Sequence, residues 1–189
     1  YDVLSPQEDI VSERLETLYR MTSGTKGLDV VIASAVTAAQ RMAPVAYVGA
    51  NTFFFRPGDT LSVEGLRSNL AAAGYAGVKQ VLAAGEFAVR GSIIDVFPMG
   101  SDRPFRLDLF DDEIESIRWF DVETQRSMEA VNEIRLLPGH EFPVTPEAVT
   151  GFRQRWRTRF AGDPGKSLVY RDIGNGVLPP GIEYYLPLF

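Results

Sequence analysis

Residues Gly85–Asp121 read GEFAVRGSIIDVFPMGSDRPFRLDLFDDEIESIRWFD, and this stretch decides the fold. It contains three short runs rich in β-branched and aromatic residues, joined by turn residues. Successive strands with tight connections predict an antiparallel sheet. Within Phe105–Phe110, the side chains of Phe105, Leu107 and Leu109 alternate onto one face, which predicts the core side of that sheet.

The opposite face of the same run is polar and aromatic. Arg106, Asp108 and Phe110 share it, and Arg90 joins them if its strand is a neighbour. An exposed phenylalanine beside an arginine is typical of the centre of a protein interface. The alternative is a second small core, with Phe110 buried and Arg106 in a salt bridge at its rim. The sequence alone leaves both interpretations open.

Further strands and one helix extend this pattern into an α+β domain over residues 51–137. The helix is predicted over Val63–Ala73, with Ser62 as its cap and Gly74 as its end. The predicted strands are Thr52–Phe55, Lys79–Leu82, Glu86–Val89, Ser92–Phe97, Arg103–Phe110, Glu113–Asp121 and Glu133–Leu137.

Residues 1–50 have a different character. A helix is predicted from Pro6 to about Met21, capped by Ser5. The run Leu28–Ala33 is nearly all apolar, which is typical of a parallel strand buried on both faces. With a short helix over Thr37–Met42, this order predicts part of an α/β layer structure.

Residues 138–189 form a return segment. Pro138 and Gly139 indicate a linker, and Thr145 caps the next predicted helix. On that helix the side chains of Phe152, Trp156 and Phe160 form one apolar stripe, with four arginines on its other faces. The aromatic C-terminal tail is expected to pack against the rest of the chain.

Composition excludes several classes of function. The chain of 189 residues has a net charge of −6 and no cysteine, which argues against autonomous DNA binding and excludes disulfides and thiol chemistry. The stretch Gly85–Asp121 carries nine acidic residues and four arginines, a local balance of −5, which favours a basic protein partner. We expect a cytoplasmic location, and a piece of a longer protein because the chain begins with Tyr1.

No catalytic or metal-binding residue is predicted. Gly165-Lys166-Ser167 matches only the end of a phosphate-binding loop, and a helix precedes it where the motif requires a strand. Asp111 and Asp112 are adjacent, which favours a hairpin turn over a catalytic pair. His140 is the only histidine and has no neighbouring ligand partner. The helix arginines favour a solvated or salt-bridged surface over a phosphate site.

The combined motifs resemble a known family. GEFAVRGSIIDVFPMGSDRPFRLDLFDDEIESIRWFDVETQRS, then IRLLPGHEFP, resembles the UvrB-homology module of the bacterial transcription-repair coupling factors, the Mfd family. The N-terminal YDVLSPQEDIVSERLETLYRM and the C-terminal LPPGIEYYLPLF are similar to the same family. The pattern occurs more loosely in the excision-repair protein UvrB.

The resemblance implies an architecture and a partner. It implies a partial RecA-like α/β domain split by an inserted, mainly antiparallel β domain with one helix. That inserted domain docks on UvrA, through positions that correspond to Arg90, Arg106 and Phe110, with Asp112 and Glu113 as weaker candidates. In the parent protein it also implies RNA polymerase and DNA as partners, and an intramolecular domain that masks the docking surface.

The resemblance places ATP hydrolysis, with ATP and Mg²⁺ as cofactors, in a C-terminal motor outside this chain. The chain itself is then a binding module without catalysis or cofactor. The alternative is a fragment of an ATP-dependent DNA helicase of the UvrB type, with real nucleotide and DNA sites. Two departures bear on that alternative, because the sequence contains neither a complete phosphate-binding loop nor a counterpart of the aromatic hairpin with which UvrB clamps DNA.

Overall fold

The strands of the quoted stretch lie at the centre of a six-stranded sheet. The structure, a computed structural model, describes residues 6–24 and 30–189. The sheet consists of Ala76–Gly77 (β2), Glu86–Arg90 (β3), Ile93–Val96 (β4), Phe105–Phe110 (β5), Glu113–Phe120 (β6) and Ser127–Ala130 (β7), in that spatial order. Only β2 and β3 pair in parallel, and the other neighbours are antiparallel. A second, two-stranded antiparallel sheet pairs Phe53–Phe55 (β1) with Ile134–Leu136 (β8).

Most helices lie in the N-terminal and C-terminal parts of the chain, and one lies in the middle, between β1 and β2. They are Glu8–Thr22 (α1), Ala35–Ala39 (α2), Val45–Ala50 (α3), Val63–Ala72 (α4), Pro146–Arg159 (α5) and Leu168–Gly174 (α6). Two 3₁₀ segments, Pro164–Lys166 and Ile182–Leu188, complete the described elements. Within the described part of the chain, no helix combines the length and the apolar character needed to cross a bilayer. The predicted mixed fold with a mainly antiparallel sheet is confirmed.

The inner face of the sheet forms the main core. Leu107 and Leu109 of β5 are buried there, and Phe105 is partly buried, as their alternation predicts. α4 packs Leu66 and Leu70 into the same core. Ser62 caps this helix by accepting a hydrogen bond from the Gly65 amide, so the predicted cap is confirmed. Leu15 of α1 also lies in this core, which joins the N-terminal helix to the sheet.

The C-terminal segment has a core of its own. Thr145 accepts a hydrogen bond from the Ala148 amide and caps α5, as predicted. Phe152 and Trp156 of α5 are buried with Tyr170 of α6. The aromatic tail packs onto this cluster, since the Phe189 ring lies 4.8 Å from that of Phe152. The predicted packing of the tail is therefore confirmed.

Several local elements differ between the sequence prediction and the structure. Residues 30–33 are not a buried strand, because no strand among the described residues pairs with them and Ile32 is 94% exposed. Lys79–Leu82 is a loop that covers the outer face of the sheet, and only Val81 in it is buried. The strand Ser127–Ala130 was not predicted, because its side chains are all exposed and show no alternation. The Ser5 cap lies outside the described residues, and the domain division at residues 50 and 137 stays a prediction.

A close contact joins the end of α4 to the segment that follows β8. Gly74 ends the helix with a positive φ of +92°, and a Cβ there would lie 2.5 Å from Cδ2 of His140. The next residue back in that segment, Gly139, donates its amide to the Ala73 carbonyl at 2.6 Å. The sheet domain and the return segment therefore meet at a position that admits no side chain.

We predict that Gly74→Ala destabilises the chain more than Gly58→Ala does. Both glycines have nearly the same positive φ, +92° and +91°, so each alanine carries a similar backbone cost of about 1 kcal/mol. Only the Cβ at Gly74 meets His140, because nothing lies within 4 Å of a Cβ at Gly58. Urea denaturation of both variants measures the difference, and equal losses would contradict the close contact.

The same contact makes stability depend on the charge of His140. Burial lowers the pKa of His140, and the charge of Glu183 opposes this only in part. The folded state therefore binds the proton less tightly than the unfolded state, in which a histidine pKa is about 6.5. The stability that the neutral histidine contributes is complete above that value and is lost as the pH falls from it through the lower pKa of the folded state.

We therefore predict that His140→Gln flattens the pH profile of stability. The free energy of unfolding of the unmodified chain should fall more steeply between about pH 7.5 and 5.5 than that of the variant. Both proteins retain the neighbouring Glu141 and Glu183, so the difference between the two profiles isolates the histidine. Parallel profiles would show that His140 is not the group that titrates.

Candidate functional surface

The register of the sheet brings the predicted arginines to one place on its outer face. β4 and β5 pair Asp95 with Arg106, and β3 and β4 pair Arg90 with Ile93. Directly paired residues project to the same side of a sheet, as do residues two apart along a strand. Arg90, Asp95 and Arg106 therefore share the outer face, as the sequence predicts for the two arginines.

A buried carboxylate holds both arginines. The Asp95 side chain is fully buried, and Arg106 donates to it through Nε at 2.6 Å and Nη2 at 2.9 Å. Nη2 of Arg90 donates to the same carboxylate. A fork of two parallel hydrogen bonds fixes the plane of a guanidinium group. Asp95 thus sets the position of Arg106 and anchors one end of Arg90.

Arg106 is further held by the neighbouring strands. Its Nη1 donates to the Gln125 carbonyl at 3.2 Å and to Oγ of Ser127 at 3.1 Å. Its guanidinium carbon lies 4.9 Å above the centre of the Phe120 ring. The hydrogen bond with Asp95 raises the pKa of Arg106, although burial opposes the shift. Only 14% of its side chain is exposed, against 48% for Arg90, so Arg90 is the freer of the two.

Phe110 lies at the tip of the β5–β6 hairpin and is 72% exposed. The interpretation that buries Phe110 in a second core is therefore wrong. A small core does exist on the outer face, formed by Val81, Ala88 and Phe120, but Phe110 is not in it. The pairing register shifts between Asp108 and Leu109, which marks a bulge just before Phe110.

The turn after Phe110 presents acidic side chains. Asp111 adopts a positive φ of 52°, which aspartate tolerates better than most residues, so the predicted turn is confirmed. Asp112 and Glu113 are both exposed. The Asp112 carbonyl accepts from the Leu61 amide, which ties the turn to the segment before α4. The hairpin tip therefore extends into solvent, is held by a backbone hydrogen bond to Leu61, and carries one aromatic and three acidic side chains.

Asp95, which holds both arginines of this surface, is not predicted from the sequence. The available signal was a lone acidic residue inside the apolar run SIIDVF, since a buried acid is rarely left unpaired. Its partners depend on the register of three strands, which the sequence pattern does not specify. The contacts of Arg106 to Gln125 and Ser127 were missed for the same reason, because they belong to the unpredicted β7 and the connection before it.

The remaining candidates do not join this surface. The Gly165 amide donates to Oδ1 of Asp163 at 2.9 Å, inside a 3₁₀ turn. His140 stacks on Phe142 with ring centres 5.4 Å apart. Of the α5 arginines, Arg155 donates to the Leu188 carbonyl, while Arg153 stands over the Tyr170 ring. No group of three or more histidine, aspartate or glutamate side chains suited to a metal ion occurs among the described residues.

We predict that Asp95→Asn lowers the free energy of unfolding by about 3 kcal/mol. The amide nitrogen would face arginine donors, and the largely buried Arg106 would lose its counter-charge. Asp108→Asn on the same face is the matched control, because among the described residues Asp108 accepts one hydrogen bond, from Ser116 at 3.2 Å, and should change stability by about 0.5 kcal/mol or less. Chemical denaturation gives both values, and a similar loss in both variants would refute a special role for Asp95.

Comparisons with known proteins agree in pointing to one family. Residues 53–142 match the UvrB interaction domain. The chain is 45% identical over 189 residues to the transcription-repair-coupling factor of Escherichia coli (strain K12), which covers 100% of this chain and 16% of the relative. The protein of the same name from Haemophilus influenzae is 45% identical over 192 residues, with the same coverage. That from Staphylococcus aureus (strain USA300) is 34% identical over 160 residues, 85% of this chain and 13% of the relative.

These matches cover the whole surface described above. The predicted docking residues Arg90, Arg106, Phe110, Asp112 and Glu113 all lie within the matched range 53–142. The chain spans 16% or less of the length of these relatives.

Proposed function

Because residues 53–142 belong to the UvrB interaction domain family and the whole chain is homologous to transcription-repair-coupling factors, we propose that this chain is a protein-interaction module that recruits UvrA. Recruitment would serve nucleotide excision repair at a stalled RNA polymerase. The exposed Phe110 at the supported hairpin tip is the observation that carries this proposal. A large aromatic side chain held in solvent at the end of a sheet that carries two arginines has the composition of an interface hot spot.

The proposed docking residues have different tasks. Phe110 enters an apolar pocket of UvrA, and the exposed part of Arg90 pairs with a carboxylate there. Arg106 acts mainly by position, because Asp95, Gln125 and Ser127 occupy most of its hydrogen-bonding groups. Asp112 and Glu113 flank the aromatic anchor and meet basic groups at the rim of the interface.

The activity of the longer protein is part of the same proposal. The relatives' shared name, transcription-repair-coupling factor, supports an assignment of RNA polymerase and DNA contacts to the parent. We assign ATP hydrolysis to its motor region, so that this chain supplies a docking surface and no catalytic group. A real ATP site in this chain, the helicase alternative, would give measurable nucleotide turnover by the isolated chain.

We predict that Phe110→Ala weakens UvrA binding by about 2 kcal/mol or more, which is roughly thirtyfold. Arg90→Ala should lose a comparable amount if its pair with UvrA is buried. Arg106→Ala should weaken binding and also lower the unfolding temperature, because it breaks the contacts with Asp95. Isothermal calorimetry with purified UvrA measures the affinities, and thermal denaturation measures the folding of each variant.

Two substitutions serve as matched controls. Phe54→Ala removes an exposed phenylalanine from β1, in the other sheet, and Arg67→Ala removes an exposed arginine from α4, on the opposite side of the main sheet. Both should leave UvrA affinity unchanged. If well-folded Phe110→Ala and Arg90→Ala bind as tightly as these controls, the proposed docking site is wrong.

A further inference from the structure

A cluster of two arginines around one tyrosine lies between α5 and α6, far along the chain from the proposed docking surface. The guanidinium carbons of Arg153 and Arg157 lie 4.9 Å and 5.8 Å from the centre of the Tyr170 ring. The two arginines are four residues apart on α5 and therefore lie on one side of the helix. The sequence indicates arginines on several faces of α5. In the structure, two of them are brought together because both pack against Tyr170 of α6.

Two buried donors at the centre of this cluster have no acceptor. Tyr170 is only 5% exposed, and the hydrogen of its hydroxyl has no acceptor among the described residues. The same is true of Nε of Arg153. No carboxylate among the described residues forms an ion pair with Arg153 or Arg157, although six other arginines do have such partners. Buried donors without acceptors are rare in native proteins.

The hydrogen-bonding groups of Arg153, Arg157 and Tyr170 favour a ligand that accepts hydrogen bonds and carries negative charge. A guanidinium group has only donors, and the tyrosine hydroxyl has one hydrogen to donate. Burial raises the pKa of Tyr170, but hydrogen bonding with Arg153 and the positive charge of both guanidinium groups outweigh this effect and lower it. Two cations beside a hydroxyl that can donate its hydrogen match the oxygens of an anion.

We propose that Arg153, Arg157 and Tyr170 form a binding site for a carboxylate of an acidic protein segment. Residues 146–171 carry six basic and two acidic side chains, a balance of +4, within a chain of net charge −6. A short acidic segment is attracted to this basic region alone. A long polyanion would also extend over the acidic rest of the chain, which repels it.

An exposed aromatic side chain beside the cluster supports a protein as the partner. The Phe160 ring lies 4.5 Å from that of Trp156, which in turn lies 6.0 Å from Tyr170. Phe160 follows Arg157 by three residues and is partly open to solvent. Arginine, tyrosine, tryptophan and phenylalanine together are the residue types enriched at protein interfaces. An acidic segment with one apolar residue therefore fits both parts of the surface.

The test is a titration of the whole chain, followed by NMR of the arginine Nε–H groups and the tryptophan indoles. The probe is a capped peptide of glutamates around one leucine, and the same peptide with glutamines is its control. Saturable shifts of the Arg153, Arg157 and Trp156 signals with the glutamate peptide alone are expected. A short oligothymidylate that binds this site more tightly than the peptide would overturn the assignment to a protein segment, and no saturable shift with either would overturn the site.

Variants separate binding from folding. Arg153→Gln and Arg157→Gln should each weaken the peptide about tenfold, whereas Arg159→Gln, which removes the same charge from the last turn of α5, should change affinity by less than about twofold. Tyr170→Phe keeps the ring and removes only the hydroxyl, whose hydrogen has no acceptor among the described residues, so it should weaken binding without lowering the unfolding temperature. A lower unfolding temperature with unchanged affinity would show that the hydroxyl is structural and that the site is wrongly assigned.

Discussion

The proposed docking surface depends on one buried carboxylate. Asp95 lies in the middle of the central sheet with no solvent exposure, and removing a charge from water costs several kcal/mol unless it is well paired. Here the charge is met by a two-fold hydrogen bond from Arg106 and by Arg90. Arg106 in turn reaches Gln125 and Ser127, so this network ties β3, β4 and β5 to the strand and connection at the sheet's edge. The outer face is therefore rigid where it carries its charges.

Within this network, Arg106 holds the surface together, whereas Arg90 keeps groups that are free to bind a partner. The contacts of Arg106 are nearly saturated within the chain, whereas almost half of the Arg90 side chain is open. Beyond the bulge at Asp108, the hairpin extends past the network and projects Phe110 into solvent. A preformed anchor loses little conformational freedom on binding, which favours affinity without a large interface. The proposed UvrA contact thus rests on an aromatic side chain held out by a charged network beneath it.

Much of this surface follows from local sequence rules. Alternation along Phe105–Phe110 predicts which residues face the core, and Ser62 and Thr145 mark the starts of two helices. The role of Asp95 was not predictable in the same way, because its partners come from strands whose register is set by the whole sheet. Residues 30–33 have strand composition but no pairing strand among the described residues, and composition alone does not make a strand. The cluster of Arg153 and Arg157 was not predictable either, because it forms around Tyr170 of α6. That helix has only seven residues, too few to show a helical periodicity of apolar positions.

We propose that UvrA contacts the tip of the β5–β6 hairpin. Hydrogen–deuterium exchange of this chain, with and without saturating UvrA, tests this contact directly. We expect slower exchange in peptides that cover Arg106 to Ile114, and unchanged exchange in β1 and β8 of the separate small sheet. Protection confined to β1 and β8, with the hairpin exchanging as in the free chain, would contradict it.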